Sequence, residues 1–326
     1  MSLTRRQTLA LAALAALPLR ARAQAFEQPK ILYGFPAGSS GDITARRVAE
    51  RIAGSAYAKN AAVVENKTGA GGRIALDALK GSAADGSVLA LTPFSAVSIY
   101  PHVYKKLGYD PVADFVPVSI ASIMHHGLAV GPAVPPSVTD VKGFVAWAKA
   151  HPDKANYGSP AAGSTPHFLG ALLGLSQNVE LKHIPYRGSV PGITDVVGGQ
   201  IAAMFTPAGD FLPNHKAGKL RLLATSGRAR LPFATDVATF AEQGFAELTT
   251  EEWFGFYAPA RTPAAVVAAA NAAINAALKD KSVIDGLAVV GLLAQGSTQD
   301  EMLRSQRAEF ERWGPLVKRI GFTAES

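Results

Sequence analysis

The sequence contains no cysteine, which excludes disulfides, thiolate metal sites and cysteine nucleophiles together. It is also poor in charge. Charged residues make up 17% of its 326 positions against 48% hydrophobic, so the chain can fill a large core and is no disordered tail. Thirty-two basic and 25 acidic side chains give a formal charge of +7, but Arg5, Arg6, Arg20 and Arg22 all lie in an acid-free leader; beyond it 28 basic face 25 acidic residues, or +3. No later run of Lys and Arg occurs, so neither nucleic acid nor an anionic membrane is expected as a partner. The signatures of hydrolases are missing as well: there is no G-x-S-x-G elbow and no His-Glu-x-x-His. His125-His126 has no acid or histidine at ligand spacing, so no metal is expected, and nothing calls for a cofactor.

What is present begins at the N-terminus. Arg5-Arg6 precedes an apolar run over 9–17, then Pro18 and the A-x-A pattern Ala21-Arg22-Ala23. The run is too short to span a bilayer as a helix, so residues 1–23 read as a signal peptide rather than an anchor. Thr4-Arg5-Arg6-Gln7-Thr8-Leu9 also resembles a twin-arginine signal, which leaves the export route open. The mature chain is expected to begin near Gln24 or Phe26 in the periplasm.

Short apolar runs then alternate with helical patterns. Candidate strands fall at 31–33, 62–65, 88–91, 116–120, 128–130, 156–158, 181–184, 202–205, 220–224 and 255–257. Helices are expected over 44–53 and 141–149, after Thr165-Pro166 and Thr262-Pro263, and after a capping box of Thr298 and Glu301. The last of these carries Leu303, Gln306, Phe310, Trp313 and Val317 as a docking stripe. The alternation predicts an α/β fold with sheets covered by helices. No low-complexity linker divides it, so two lobes would need ordered crossings, best placed at 127–131 and 253–259; a single continuous sheet is the alternative.

The segment Tyr33-Gly34-Phe35-Pro36-Ala37-Gly38-Ser39-Ser40-Gly41-Asp42 joins the first strand to the first helix. Small residues let the backbone approach a ligand, and the helix start that follows offers unpaired N–H groups and a positive dipole end. Without a fixed lysine such a cradle suits a carboxylate better than a triphosphate. Tyr157-Gly158-Ser159-Pro160-Ala161-Ala162-Gly163-Ser164-Thr165-Pro166-His167 has the same construction in the other half of the chain. Two further loops follow strand ends, where open α/β sheets bind ligands: Thr92-Pro93-Phe94-Ser95 and Thr206-Pro207-Ala208. Gly69-Ala70-Gly71-Gly72 reads as a turn into a helix, and a bulky residue at Gly38 is expected to abolish binding.

These segments resemble the Bug-type receptors, the extracytoplasmic substrate-binding proteins of tripartite tricarboxylate transporters. The resemblance rests on Phe35 to Asp42, then Val64-Glu65-Asn66-Lys67-Thr68-Gly69-Ala70-Gly71-Gly72, Gly163 to His167, Pro185-Tyr186-Arg187-Gly188-Ser189 and Lys216-Ala217-Gly218-Lys219-Leu220, in that order. It implies a two-lobed type II periplasmic binding protein fold, a Venus flytrap with mixed sheets covered by helices and two crossover segments as hinge. Lobe one would be 24–126 plus 253–326 and lobe two 127–252. It implies a small organic carboxylate held by amides, hydroxyls and water, with few or no charged side chains, and membrane permease subunits as partners of what is expected to be a monomer. Carried onto this chain, Pro36, Ala37, Gly38, Ser39, Ser40 and Asp42 would form the first clamp, and Ser164 and Thr165 the second with His167 close by; Phe35 also belongs to the candidate site. Thr92, Phe94, Ser95, Thr206 and Pro207 complete the candidate site. No residue is assigned a catalytic role. Thr206 stands where the family often has Asp or Asn, which points to a mono- or dicarboxylate without a positive group. Presentation of the ligand to a sensor kinase, or an enzyme on a similar fold, are the competing readings.

Overall fold

The computed structural model describes residues 25–324; the leader and its cleavage pattern lie outside the described residues. From β1 (Lys30–Tyr33) the chain passes through α1 (Ser40–Arg51), β2 (Val63–Asn66), α2 (Arg73–Lys80), β3 (Val88–Pro93) and two short helices, α3 (Phe94–Ser98) and α4 (Tyr100–Val103). β4 (Phe115–Val130) is followed by α5 (Val141–Ala150), β5 (Asn156–Ser159), α6 (Thr165–Gln177), β6 (Lys182–Pro185), α7 (Ser189–Val197), β7 (Ala203–Pro207), α8 (Ala208–Lys216) and β8 (Arg221–Thr225). β9 (Glu251–Pro259), α9 (Ala264–Ala277), α10 (Lys281–Ala288), β10 (Leu292–Ala294) and α11 (Gln299–Ile320) complete the order.

The strands line up as β2-β1-β3-β9-β4-β7-β5-β6, with β8 and β10 also paired to β4. β1 runs parallel to β2 and β3, and β5 parallel to β6 and β7, while β9 is antiparallel to β3 and β4. β4 serves two sheets. Its residues 115–125 pair with β9, and 126–130 with β7 and β8, so the partners change between His125 and His126. The chain comes back beside that point: Ser226 N–H donates to His126 O, and Thr250 N–H to Ser226 O, each at 2.8 Å. The stretch 253–259, expected to be the return crossing, instead lies wholly within the ladders to β3 and β4.

β4 is one strand of 16 residues, where the sequence pattern suggests two short ones. Ser119, Ser122, His125 and His126 interrupt its apolar run and mimic a loop. All four are buried; Ser119 Oγ bonds the adjacent Ile120 carbonyl at 2.7 Å, His125 Nδ1 and His126 Nδ1 have no partner, and the other partners come from far along the chain. Ser119 Oγ donates to Ser297 O at 3.1 Å, Ser122 Oγ lies 3.3 Å from Thr44 Oγ1, and His126 Nε2 is 2.7 Å from Glu252 Oε2. Buried polar groups are tolerated when so paired.

Each sheet is packed on both faces. One core cluster joins β1, β3, β4 and β9 to α1, α9 and α10, and a second covers the opposite face with α2, α3, α4 and α11. Beyond the change of partners on β4, α5 and α6 cover one face and α7 and α8 the other. The capping box of Thr298 and Glu301 opens α11. Its docking stripe differs from the expected one: Met302, Gln306, Trp313 and Val317 are buried, whereas Leu303 and Phe310 are exposed. Thr262 does not cap α9; Pro263 holds that place, and the buried Thr262 hydroxyl has no partner. Among the described residues no helix is long and apolar enough to cross a membrane.

Candidate functional site

The two loops singled out in the sequence share one local geometry. Gly38 and Gly163 have positive φ, +82° and +75°, and each is followed by a serine in extended conformation, Ser39 and Ser164, that caps α1 and α6. Neither serine makes the usual side-chain bond to its helix. Both hydroxyls turn back onto the carbonyl three residues earlier, Ser39 Oγ to Pro36 O at 2.8 Å and Ser164 Oγ to Ala161 O at 2.7 Å. Both glycine N–H groups donate four residues forward, Gly38 to Asp42 Oδ2 at 2.9 Å and Gly163 to His167 Nδ1 at 3.0 Å. The first-turn amides of α1 and α6 are thus left to an acceptor from elsewhere.

Both helix starts open onto one hollow of about 50 Å³, lined by Ser39 and Ser40 from the first loop and by Ala161 and Ser164 from the second. By that measure it has room for roughly four waters. Phe35, Ser95 and Pro207 of the candidate set line it as well. The remaining candidates do not. Asp42 is buried beneath the loop and braces it, accepting from Arg46 Nε at 3.0 Å and Asn66 Nδ2 at 2.8 Å. Burial alone would raise its pKa; the bonds from Arg46, the Gly38 amide and Asn66 outweigh that and hold the carboxyl below its usual range. Pro36 packs against Gly188, Ala37 and Gly38 face solvent, and Phe94 lies edge-on to Trp253 with ring centroids 5.6 Å apart. Thr92 is held in the β3 ladder opposite Gly255. Thr165 is the first residue of α6, not its cap. Thr165 and Thr206 each sit beside a lining residue and carry a buried hydroxyl with no partner.

His167 belongs to the loop's support. It stacks on His183 with centroids 3.8 Å apart and meets the edge of Phe322. Burial pushes its pKa down to about 3, helped by the neighbouring His183, itself lowered to about 4 by burial. A Cβ on Gly38 would meet no protein atom, so within the protein itself the obstacle to substitution is its positive φ.

The lining contains three ionisable groups that the sequence pattern did not single out. Glu252 of β9 accepts from Ser95 N–H at 2.9 Å and is held by His126 of β4. Asp210, in the first turn of α8, reaches across the hollow to α1. Its Oδ1 accepts from Ser40 N–H at 3.0 Å and from the Ser40 hydroxyl, and the Ser189 hydroxyl bonds the same carboxyl. Asp210 keeps part of its surface open to the hollow, yet loss of hydration pushes its pKa above the usual carboxylate value. Its local signal was an acid in a first helical turn, four residues after Thr206. Glu252 and His126 carried none, because they meet only through strand pairing.

Other contacts hold the two sides together. Tyr104 OH donates to Ala162 O at 3.0 Å. A Cβ on Gly209 of α8 would overlap the carbonyl of Val290, and one on Gly291 would lie 2.7 Å from the Gly209 Cα.

Residues 44–322 match the Tripartite tricarboxylate transporter family receptor. BugT of Bordetella pertussis is 31% identical over 90% of this chain and 89% of its own length. Rpa4515 of R. palustris, solved with adipate, is 30% identical and superposes with a TM-score of 0.86 over 91% of this chain and 98% of that one. MatC of Rhodopseudomonas palustris, solved with bound malate, is 26% identical with a TM-score of 0.83 over 92% of this chain and all of its own. With its two packed sheets, twin loops and shared hollow, the chain belongs to the tripartite tricarboxylate transporter receptor family, as a Bug-type receptor with a two-lobed periplasmic binding protein fold.

Proposed function

We propose that this protein is an extracytoplasmic receptor that closes on a small organic carboxylate, performs no chemistry on it and delivers it to the permease subunits of a tripartite tricarboxylate-type transporter. The observation that carries this reading is the convergence of Ser39, Ser40 and Ser164, from two loops of one build, on a single hollow. A hydrogen bond to a charged group contributes about 1.5–3 kcal/mol, so a few of them, less the ordering cost, suffice for micromolar affinity. The adipate and malate held by two structural neighbours support the ligand class. We take lobe one as 24–126 with 253–326 and lobe two as 127–252; the first boundary is supported by the change of strand partners between His125 and His126. Ligand joins the lobes only when they meet, so binding favours the closed form. Residues 1–23 serve export to the periplasm.

Native mass spectrometry of the protein purified from its own periplasm is expected to show a retained organic acid, released on unfolding. Calorimetry with a panel of organic acids should then give micromolar binding. A panel without a single binder would remove the reading.

A further inference from the structure

The hollow has two helix starts, and one is already taken. Ser40 N–H and the Ser40 hydroxyl at the head of α1 both bond Asp210 Oδ1, a carboxylate supplied by α8 from the other side. Among the lining residues there is no lysine or arginine, and the one imidazole, His126, is bonded to Glu252. Asp210 is the other lining carboxylate: Ser40 and Ser189 bond it, no lysine or arginine pairs with it, and the only ring that acts on its charge is His126, already bonded to Glu252.

We infer that Asp210 sets the charge of the ligand: the protein's own carboxylate fills the seat at α1, and the hollow takes a monocarboxylate at the α6 end in preference to a dicarboxylate. This rests on the receptor reading of the same site. A dicarboxylate needs two anion seats. Sharing α1 with Asp210 would set two like charges in contact in a hollow of about 50 Å³. Displacing Asp210 would strip it of its bonds from Ser40 and Ser189 with no lysine or arginine in the lining to receive it and with His126 already bonded to Glu252. Like-charge juxtaposition at a recognition site costs several kcal/mol, so discrimination of roughly 100-fold is expected. The apolar wall of Phe35, Met124, Pro93 and Phe254 is suited to the uncharged remainder of such a ligand.

The test is calorimetry on the mature receptor with matched pairs: butyrate and succinate, hexanoate and adipate, benzoate and terephthalate. The wild type should bind one or more of the monocarboxylates at least about ten-fold more tightly than its partner. Asp210→Ser, which empties the seat at α1 and leaves a hydroxyl, should bring the ratio close to one or reverse it. Asp210→Asn keeps the size and an acceptor for Ser40, so it should relieve the discrimination even if the serine variant folds poorly. Equal or tighter binding of dicarboxylates by the wild type, or an unchanged ratio in both variants, overturns the inference while leaving the receptor reading intact. Binding of no acid by any form overturns both.

Discussion

Acidification should weaken this protein through two histidines beneath the second loop. His167 Nδ1 accepts the Gly163 N–H, which only a neutral ring can do, and His183 Nε2 lies 2.7 Å from Ser159 Oγ. Burial lowers both folded-state pKa values, to about 3 and about 4, below the ordinary value of 6.5. The unfolded chain therefore takes up protons as pH falls below 6.5 while the folded chain does not. The stability from keeping these rings neutral is complete above that value and declines as pH falls towards 4. At pH 5 the linkage amounts to about 2 kcal/mol for each ring, or about 3–4 kcal/mol for the pair relative to pH 7. That is a large share of the 5–15 kcal/mol typical of folded domains. Asp210, whose folded pKa is raised, works in the opposite direction and makes the net fall shallower. Urea unfolding of ligand-free protein at pH 7 and pH 5 measures the change. His167→Asn with His183→Gln keeps an acceptor where each ring offers a nitrogen and should lose markedly less over the same interval, the remaining fall coming in part from His125, whose buried ring is also held below its ordinary pKa. A wild type equally stable at both pH values, or a double variant that falls as steeply, would refute the reasoning.

Two substitutions probe the loops and the closed form. Gly38→Ala places an L residue at φ +82° in open space, so the protein should fold, lose about 1–2 kcal/mol in urea unfolding and bind its acid more weakly; unchanged stability would show that the turn relaxes freely. Gly209→Ala drives a methyl into the Val290 carbonyl and should hold the lobes apart, so small-angle scattering should show no contraction with ligand and affinity should fall at least about ten-fold; contraction of normal size would mean that α8 shifts to make room.

Local patterns in the sequence revealed most of the elements, because their signals are local. Thr298 and Glu301 cap α11 as their spacing predicts, and Val141, Phe144, Val145 and Ala148 bury the expected face of α5. The paired loops were legible for the same reason: small residues after a strand and before a helix have few other uses. What the pattern missed is what tertiary partners decide. Ser119, Ser122, His125 and His126 read as a break in β4 because most of what pairs with them lies far along the chain. Asp42 and His167 look like ligand groups in the sequence because they neighbour the loop serines; in the structure each receives the glycine N–H that shapes its loop. The twin spacing, a glycine followed four residues later by an acceptor side chain, is visible in the sequence. Asp210 offers there only an acid in a first helical turn; its bond to Ser40 is made by the fold.

The continuity of β4 bears on how fast a receptor of this build can work. With no slack loop where its partners change, opening has to twist a hydrogen-bonded ribbon flanked by the Ser226 and Thr250 bonds. On the proposed function such a ribbon would act as a torsion spring, storing part of the work of shutting the jaws and giving it back when the cargo leaves.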